Sequence, residues 1–234
     1  MNEFSSAIGA ALSMVATLDA DLIEIVLLSL QISLSAVAIA SIIALPLGAL
    51  IALQRFPGRR AVVILLNALM GLPPVVVGLM VYLLLSRAGP LGSMGLLFTP
   101  TAMIIAQSII VLPIIAALSR QTIADLHEEY DEHLRSLGCT PMQSVATLLW
   151  DGRFRLLTAI MAGFGRAIAE VGAVIIVGGN ILHSTRVMTT TIALETSKGN
   201  LSLALGLGVV LVTLALGVNA AALVISDAAR RRYG

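Results

Sequence analysis

Residues 128–153 read EEYDEHLRSLGCTPMQSVATLLWDGR, and they interrupt a chain that is otherwise close to lipid in character. The stretch divides into helix, break and helix. From Thr122 to Leu137 helix formers and acids predominate, and Leu126, Tyr130, Leu134 and Leu137 recur at three- and four-residue steps, the spacing of one helical face. Gly138 stands where a helix C′ residue belongs, because glycine enters the left-handed region at little cost. Thr140 fits an N-cap and Pro141 the first helical position: a threonine oxygen accepts an orphan amide, and proline has none to leave unbonded. The second helix shows Val145, Leu148 and Leu149 on one side. The pattern predicts a bent helical pair that presents an apolar knob amid charges. Its acids Glu128, Glu129, Asp131 and Glu132 are repelled by an anionic leaflet, so a protein partner is expected over a resting place on headgroups.

Around this stretch the composition is extreme. The 234 residues are 58% hydrophobic and only 12% charged, with mean hydropathy +1.01, whereas soluble domains carry about 25% charged residues. The apolar residues come in long runs, which indicates several membrane spans. Net charge is +1, and no basic cluster interleaved with aromatics points to nucleic acid. Cys139 is the sole cysteine, so an intrachain disulfide is excluded. His127, His133 and His183 are scattered along the chain, and no metal site is expected. No Gly-Lys-Ser/Thr phosphate-binding string occurs, so ATP hydrolysis by that motif is excluded. Gly206 and Gly208 read as small packing residues.

Five segments are long enough to cross a bilayer: Leu22–Leu53, Ala61–Ser86, Thr101–Leu118, Leu156–Asn180 and Leu201–Ser226. A span needs roughly 20 residues, so the first is oversized, and the third is the weakest, with Gln107 and Pro113 inside it. If the chain alternates sides, ten Arg residues fall on one face and Arg87, Arg186 and Lys198 on the other, with Arg166 inside the fourth span. The positive-inside rule then puts the N-terminus outside, and the C-terminus and residues 122–152 in the cytoplasm. Met1–Phe4 lacks the basic n-region of a signal peptide. Ala7–Leu18 is too short to cross and reads as an interfacial helix ended by Asp19 and Asp21.

The string Glu132-His133-Leu134-x-x-Leu137-Gly138, followed by Cys139-Thr140-Pro141 and a second helix, resembles the coupling motif of ATP-binding-cassette importer permeases. That motif reads Glu-Ala-Ala-x-x-x-Gly, with an apolar residue about ten positions on and then Leu-Pro. This chain keeps Glu132, Gly138 and Leu148. It departs at His133, at Leu134 and at Trp150-Asp151. Arg55-Phe56-Pro57-Gly58-Arg59-Arg60, Gly71-Leu72-Pro73-Pro74-Val75-Val76-Val77-Gly78 and Ala169-Glu170-Val171-Gly172-Ala173-Val174 look like the molybdate and tungstate branch. Met70–Gly95, with Ser86-Arg87-Ala88-Gly89-Pro90-Leu91-Gly92-Ser93, looks most like the tungstate permeases.

The resemblance implies an all-α, type I importer permease in a single domain over residues 1–234, multi-pass in a prokaryotic inner membrane. Two copies would form one pathway, and each would dock one ATPase subunit through residues 122–152. The docking residues would be Glu132, Leu134, Leu137, Gly138, Thr140, Pro141, Val145 and Leu148. An external tungstate- or molybdate-binding protein would deliver the anion near Arg87 and Arg186. No cofactor is expected on this chain; ATP and Mg would be used by the ATPase. The alternatives are a permease for sulfate or methionine and, from another class, a membrane enzyme, although Ser, His and Asp show no catalytic spacing.

Within the spans, Pro73 and Pro74 must kink or break a helix. Broken backbone at that depth is tolerated when buried in protein or lining a cavity. The break is either a packing kink or a place where amides face an oxyanion. Pro113 reads as a kink. Arg166 and Glu170, four apart, are expected on one helical face, either as a polar clasp near a gate, with Gly172 beside it, or as a static pair. Gly165, Ala169 and Ala173 follow the spacing by which small residues let helices approach.

Overall fold

The computed structural model describes residues 20–233. Among them are nine α-helices: α1 (Ala20–Leu53), α2 (Arg59–Leu69), α3 (Pro74–Leu85), α4 (Pro100–Ser136), α5 (Pro141–Asp151), α6 (Arg153–Ile168), α7 (Gly172–Gly178), α8 (Met188–Ser197) and α9 (Leu201–Tyr233). A 3-10 turn at Gly92–Met94 is added, and no described residue is in a strand. The expected interfacial helix over Ala7–Leu18 lies outside the described residues.

Three helices, α1, α4 and α9, are long and apolar enough to cross a membrane singly. The count rises to five only if the broken pairs α2–α3 and α6–α7 each cross as one span. The first break falls at Met70–Pro73, and Pro74 opens α3, the helix position where its missing amide costs nothing. The second break, at Ala169–Val171, has neither proline nor glycine within it. Pro46 and Pro113 sit inside continuous helices. The third helix continues past Leu118: α4 runs 37 residues without interruption, about 55 Å at 1.5 Å per residue. That exceeds a hydrocarbon core of about 30 Å, so α4 leaves the bilayer as a single rod and its last turns are the acidic helix of the opening stretch.

The chain forms two compact units. One gathers residues up to Ser35, Pro74–Gln107 and Ile168–Ala221. Its core includes Ile32, Val81, Met103, Val174, Val177 and Met188. Here α3 and α7 meet backbone to backbone: a Cβ on Gly78 would lie 2.7 Å from the Ala173 Cα. The loop before α4 is tied to α7 by the Phe98 amide, which donates to the Val177 carbonyl at 2.9 Å. On this unit's surface His183 Nδ1 lies 2.9 Å from a Glu24 oxygen, with Asp21 beside them. The fold thus assembles an exposed His–carboxylate cluster that chain spacing does not reveal.

The other unit gathers Ala36–Pro73, Ser108–Ala167 and the residues from Ala222 onward. Its α1 and α4 touch where a Cβ on Gly48 would fall 2.5 Å from the Ala116 carbonyl oxygen. Ser119 Oγ donates to the Leu45 carbonyl at 3.0 Å across this contact. The end of α1 is closed by Arg59, whose Nε and Nη2 donate to the carbonyls of Ile51 and Ala52 at 2.7 and 2.9 Å. These are carbonyls a helix end leaves without partners, and a cation there complements the helix dipole.

Candidate coupling site

The turn between α4 and α5 is built by local chemistry. Gly138 has φ +67°, and the Cys139 amide donates to the Leu134 carbonyl at 3.0 Å, the six-to-one bond of a Schellman ending. A Cβ at Gly138 would meet nothing within 4 Å, so glycine is required by backbone conformation and not by space. Cys139 is partly buried and packs against the same cluster as Leu134, supplying the apolar contact that accompanies such an ending. Thr140 then caps α5: its amide donates to Gln143 Oε1 at 2.8 Å, and its Oγ1 accepts from the Gln143 amide at 3.4 Å. This reciprocal box with Pro141 in the first turn satisfies two orphan donors. The Thr-x-x-Gln spacing was a readable signal for it.

The sequence-derived docking residues divide into two groups. Leu134, Val145 and Leu148 do not face outward. They form one buried cluster with Ala49 and Ala52 of α1, Ile123 and Leu126 of α4 and Leu156 of α6. Leu148 is 1% exposed, and full burial of such a side chain contributes about 1.5–3 kcal/mol. The apolar knob inferred from periodicity is therefore the face that anchors α5 to its own chain. Glu132, Leu137, Gly138 and Thr140 are exposed. Leu137 (77%), Met142 (66%) and Trp150 (69%) are the large apolar groups open to a partner; the last two were missed because an i, i+4 stripe reads as the important face whichever way it turns.

Trp150 is held in place. The Arg153 guanidinium lies 4.7 Å from its ring and 4.6 Å from the Phe154 ring, and Arg153 Nη1 donates to the Trp150 carbonyl at 2.7 Å. Cation–π stacking of this kind fixes an exposed indole. Gly152, directly after α5, has no room for a side chain: a Cβ would be 2.6 Å from Leu126 Cδ1. Arg155 and Glu129 pair at 3.4 Å in the open, a contact worth only about 0–1 kcal/mol. Behind α5 lies a cavity of about 420 Å³, edged by Arg55, His127, Asp131, Cys139 and Ser144. The mechanical result is a short helix with an exposed apolar face, bolted through Val145 and Leu148 to two long apolar helices.

The second group of sequence-derived residues lies at the helix breaks. Pro73 ends the first break and Pro74 starts α3. Arg166 is in the last turn of α6, but the helix stops at Ile168, so helical spacing no longer relates it to Glu170. Glu170 belongs to the break itself. It is 3% exposed, and its Oε1 accepts from the Ala173 amide at 3.0 Å, while its carbonyl accepts from Thr189 Oγ1 at 2.8 Å. Its carboxylate thus stands over the start of α7, where a helix dipole favours negative charge. Gly172 begins α7 against Val75, whose Cγ2 would be 2.8 Å from an added Cβ. Of the three small residues, Ala173 packs on Gly78, a Cβ on Gly165 would meet nothing within 4 Å, and Ala169 lies outside the helices.

Residues 44–233 match the family model described as a binding-protein-dependent transport system inner membrane component. The chain is 40% identical over 204 residues to a probable anion ABC transporter permease protein of Haloferax volcanii, covering 85% of this chain and 88% of that one. It is 39% identical over 211 residues to the tungstate uptake system permease protein TupB of Peptoclostridium acidaminophilum, covering 90% and 92%. It is 38% identical over 164 residues to the protein of the same name from Campylobacter jejuni, covering 70% and 69%. A transport subunit, not an enzyme, accounts for the long apolar helices of this chain. The protein belongs to the family of binding-protein-dependent transport system inner membrane components, the multi-pass permeases of type I ATP-binding-cassette importers, which work with an ATPase and a substrate-binding protein.

Proposed function

We propose that this chain is the permease of an ATP-driven importer of tungstate, with molybdate as the second candidate cargo, and that it forms the pathway as one domain paired with a second copy of itself. The observation that carries the coupling part is the exposed trio Leu137, Met142 and Trp150 on a helix anchored to α1 and α4. Each copy seats this helix in a groove of one ATPase subunit, which binds ATP and Mg. The basic residues support an N-terminus outside and a C-terminus in the cytoplasm. The exposed Arg87 loop then faces the protein that delivers the anion. The anion reading rests on the permeases to which the chain is similar.

When ATP draws the two ATPases together, the displaced α5 carries α4 and α1 with it, and the helix breaks at Met70–Pro73 and Ala169–Val171 supply the places where the pathway can rearrange. Glu170 and Gly172, at the second of these breaks, act in the gate. The test is co-purification of the ATPase with Trp150→Ala and Met142→Ser permeases, together with uptake of radiolabelled tungstate. Retained ATPase and normal uptake in the double variant would remove this helix as the coupling element.

A further inference from the structure

We propose that the unit containing α8 binds the headgroup of a zwitterionic phospholipid, of the phosphatidylethanolamine class, in a cavity closed on one side by the loop before α8. The cavity has a volume of about 190 Å³. Its walls are Leu22 and Ile25 from the start of α1 and Leu203 and Leu207 from the start of α9, and Arg186 and Asp21 also line it. Both helices begin their apolar runs at these residues, so the cavity lies at the level where a span meets the headgroup layer. Leucine walls there match acyl chain, and charged groups match what sits above it.

Arg186 gives the chemistry. Its Nε is buried and has no hydrogen-bond partner among the described residues. An N–H of a guanidinium enclosed this way calls for an acceptor, and a guanidinium favours the planar, two-oxygen face of a phosphate. Glu195 lines the same cavity, but its carboxylate already accepts from Lys198 Nζ at 2.8 Å and Asn200 Nδ2 at 3.0 Å. Its charge is answered first by Lys198, and Arg186 is the cation that lines the space. Asp21 supplies negative charge at the same rim, while Glu24 beside it is already paired with His183. A purely anionic headgroup would satisfy Arg186 and be repelled by the Asp21 carboxylate. A phosphate carrying an ammonium satisfies both signs.

The site does not depend on which face of the membrane it occupies or on the identity of the cargo. It is tested by native mass spectrometry of the delipidated full chain, released from detergent and titrated with dioctanoyl phosphatidylethanolamine, dioctanoyl phosphatidylglycerol or glycerophosphoethanolamine. We expect one phosphatidylethanolamine retained per chain, at least about tenfold tighter than phosphatidylglycerol, and little retention of the acyl-free headgroup. Arg186→Gln should abolish the retention, and Asp21→Asn should reduce the preference for phosphatidylethanolamine. Leu203→Trp, which fills the cavity and leaves the charges in place, should expel the lipid from a chain that still inserts. Equal retention of both lipids, retention unchanged in Arg186→Gln and Leu203→Trp, or binding of the headgroup alone as tight as the lipid would each overturn the assignment. Occupation of the cavity by residues preceding Ala20 would do so too, and would show as lipid binding that appears only after their deletion.

Discussion

The chain breaks its helices in two unlike ways. At Gly138–Thr140 the stop and restart are made by the residues of the turn: a left-handed glycine, a Schellman bond, a threonine cap and a proline in the first turn. At Ala169–Val171 nothing in the local sequence forbids a helix. The break is held by partners far along the chain or just beyond it, the Thr189 hydroxyl on the Glu170 carbonyl and the Glu170 carboxylate on the Ala173 amide. The contrast follows from the surroundings. A helix end in water can leave amides and carbonyls to solvent and needs only a residue tolerant of the turn. A break within apolar surroundings must find a partner for every freed group, so it is specified by contacts and not by turn residues.

Substitutions that separate packing from capping and from docking sharpen this comparison. The largest effect is expected at Leu148→Ala, which empties a site of the α1–α4–α5 cluster and should cost about 2–5 kcal/mol, read as a lower thermal midpoint and loss of the ATPase. A stability within about 0.5 kcal/mol of wild type would mean that α5 is not anchored there. Next comes Glu170→Ala, which strands the buried Ala173 amide at about 1–3 kcal/mol. Glu170→Gln keeps an acceptor, so its stability should stay near wild type while anion uptake or ATPase stimulation changes. Normal transport by Glu170→Gln would leave the carboxylate a capping group only.

At the polar turn Gly138→Val meets the left-handed penalty, at least about 1 kcal/mol. It should still insert and yet lose ATPase association, because the added strain alters the angle of α5. Thr140→Ala should cost about 1 kcal/mol through the lost cap, with weaker loss of ATPase. A smaller effect is expected at His183, whose imidazole the hydrogen-bonded Glu24 carboxylate holds above its ordinary pKa. A raised folded-state pKa contributes stability that is full below the unfolded value, about 6.5, and is lost as pH rises through the folded value. Melting curves on either side of neutrality should therefore show a small decline at the alkaline end that His183→Gln abolishes.

The polar turn was legible in the sequence nearly residue by residue, because glycine, threonine and proline act on their own backbone. The long apolar runs were legible too, as was the break at Pro73–Pro74. What could not be read was direction. The stripe Leu134, Val145, Leu148 announces an apolar face, and periodicity alone does not say whether that face meets a partner or the chain itself. It meets the chain itself, and the apolar groups left exposed on α5 are Met142 and Trp150, which belong to no stripe. The interruption after Ile168 was hidden for the complementary reason: Arg166 and Glu170 have helical spacing, and the break between them is held by the distant Thr189 hydroxyl and by the Glu170 carboxylate on the Ala173 amide. The part of Cys139 in the turn is played by its amide and by a partly buried side chain, neither of which its residue type announces.

The unbroken course of α4 from Pro100 to Ser136 has a geometric consequence. The compass bearing of the docking turn is locked to that of the span, since no joint lies between them to absorb rotation. One residue added between Leu118 and Leu126 would swing everything beyond it by about 100°, taking Leu134 out of the core and turning Trp150 to another bearing. Seven added residues would return the bearing to within about 20° and lengthen the rod by about 10 Å. Azimuth and reach are thus separable variables in this permease, and an ATPase that docks on the seven-residue insertion but not on the single one would show that bearing, more than distance, is what the partner reads.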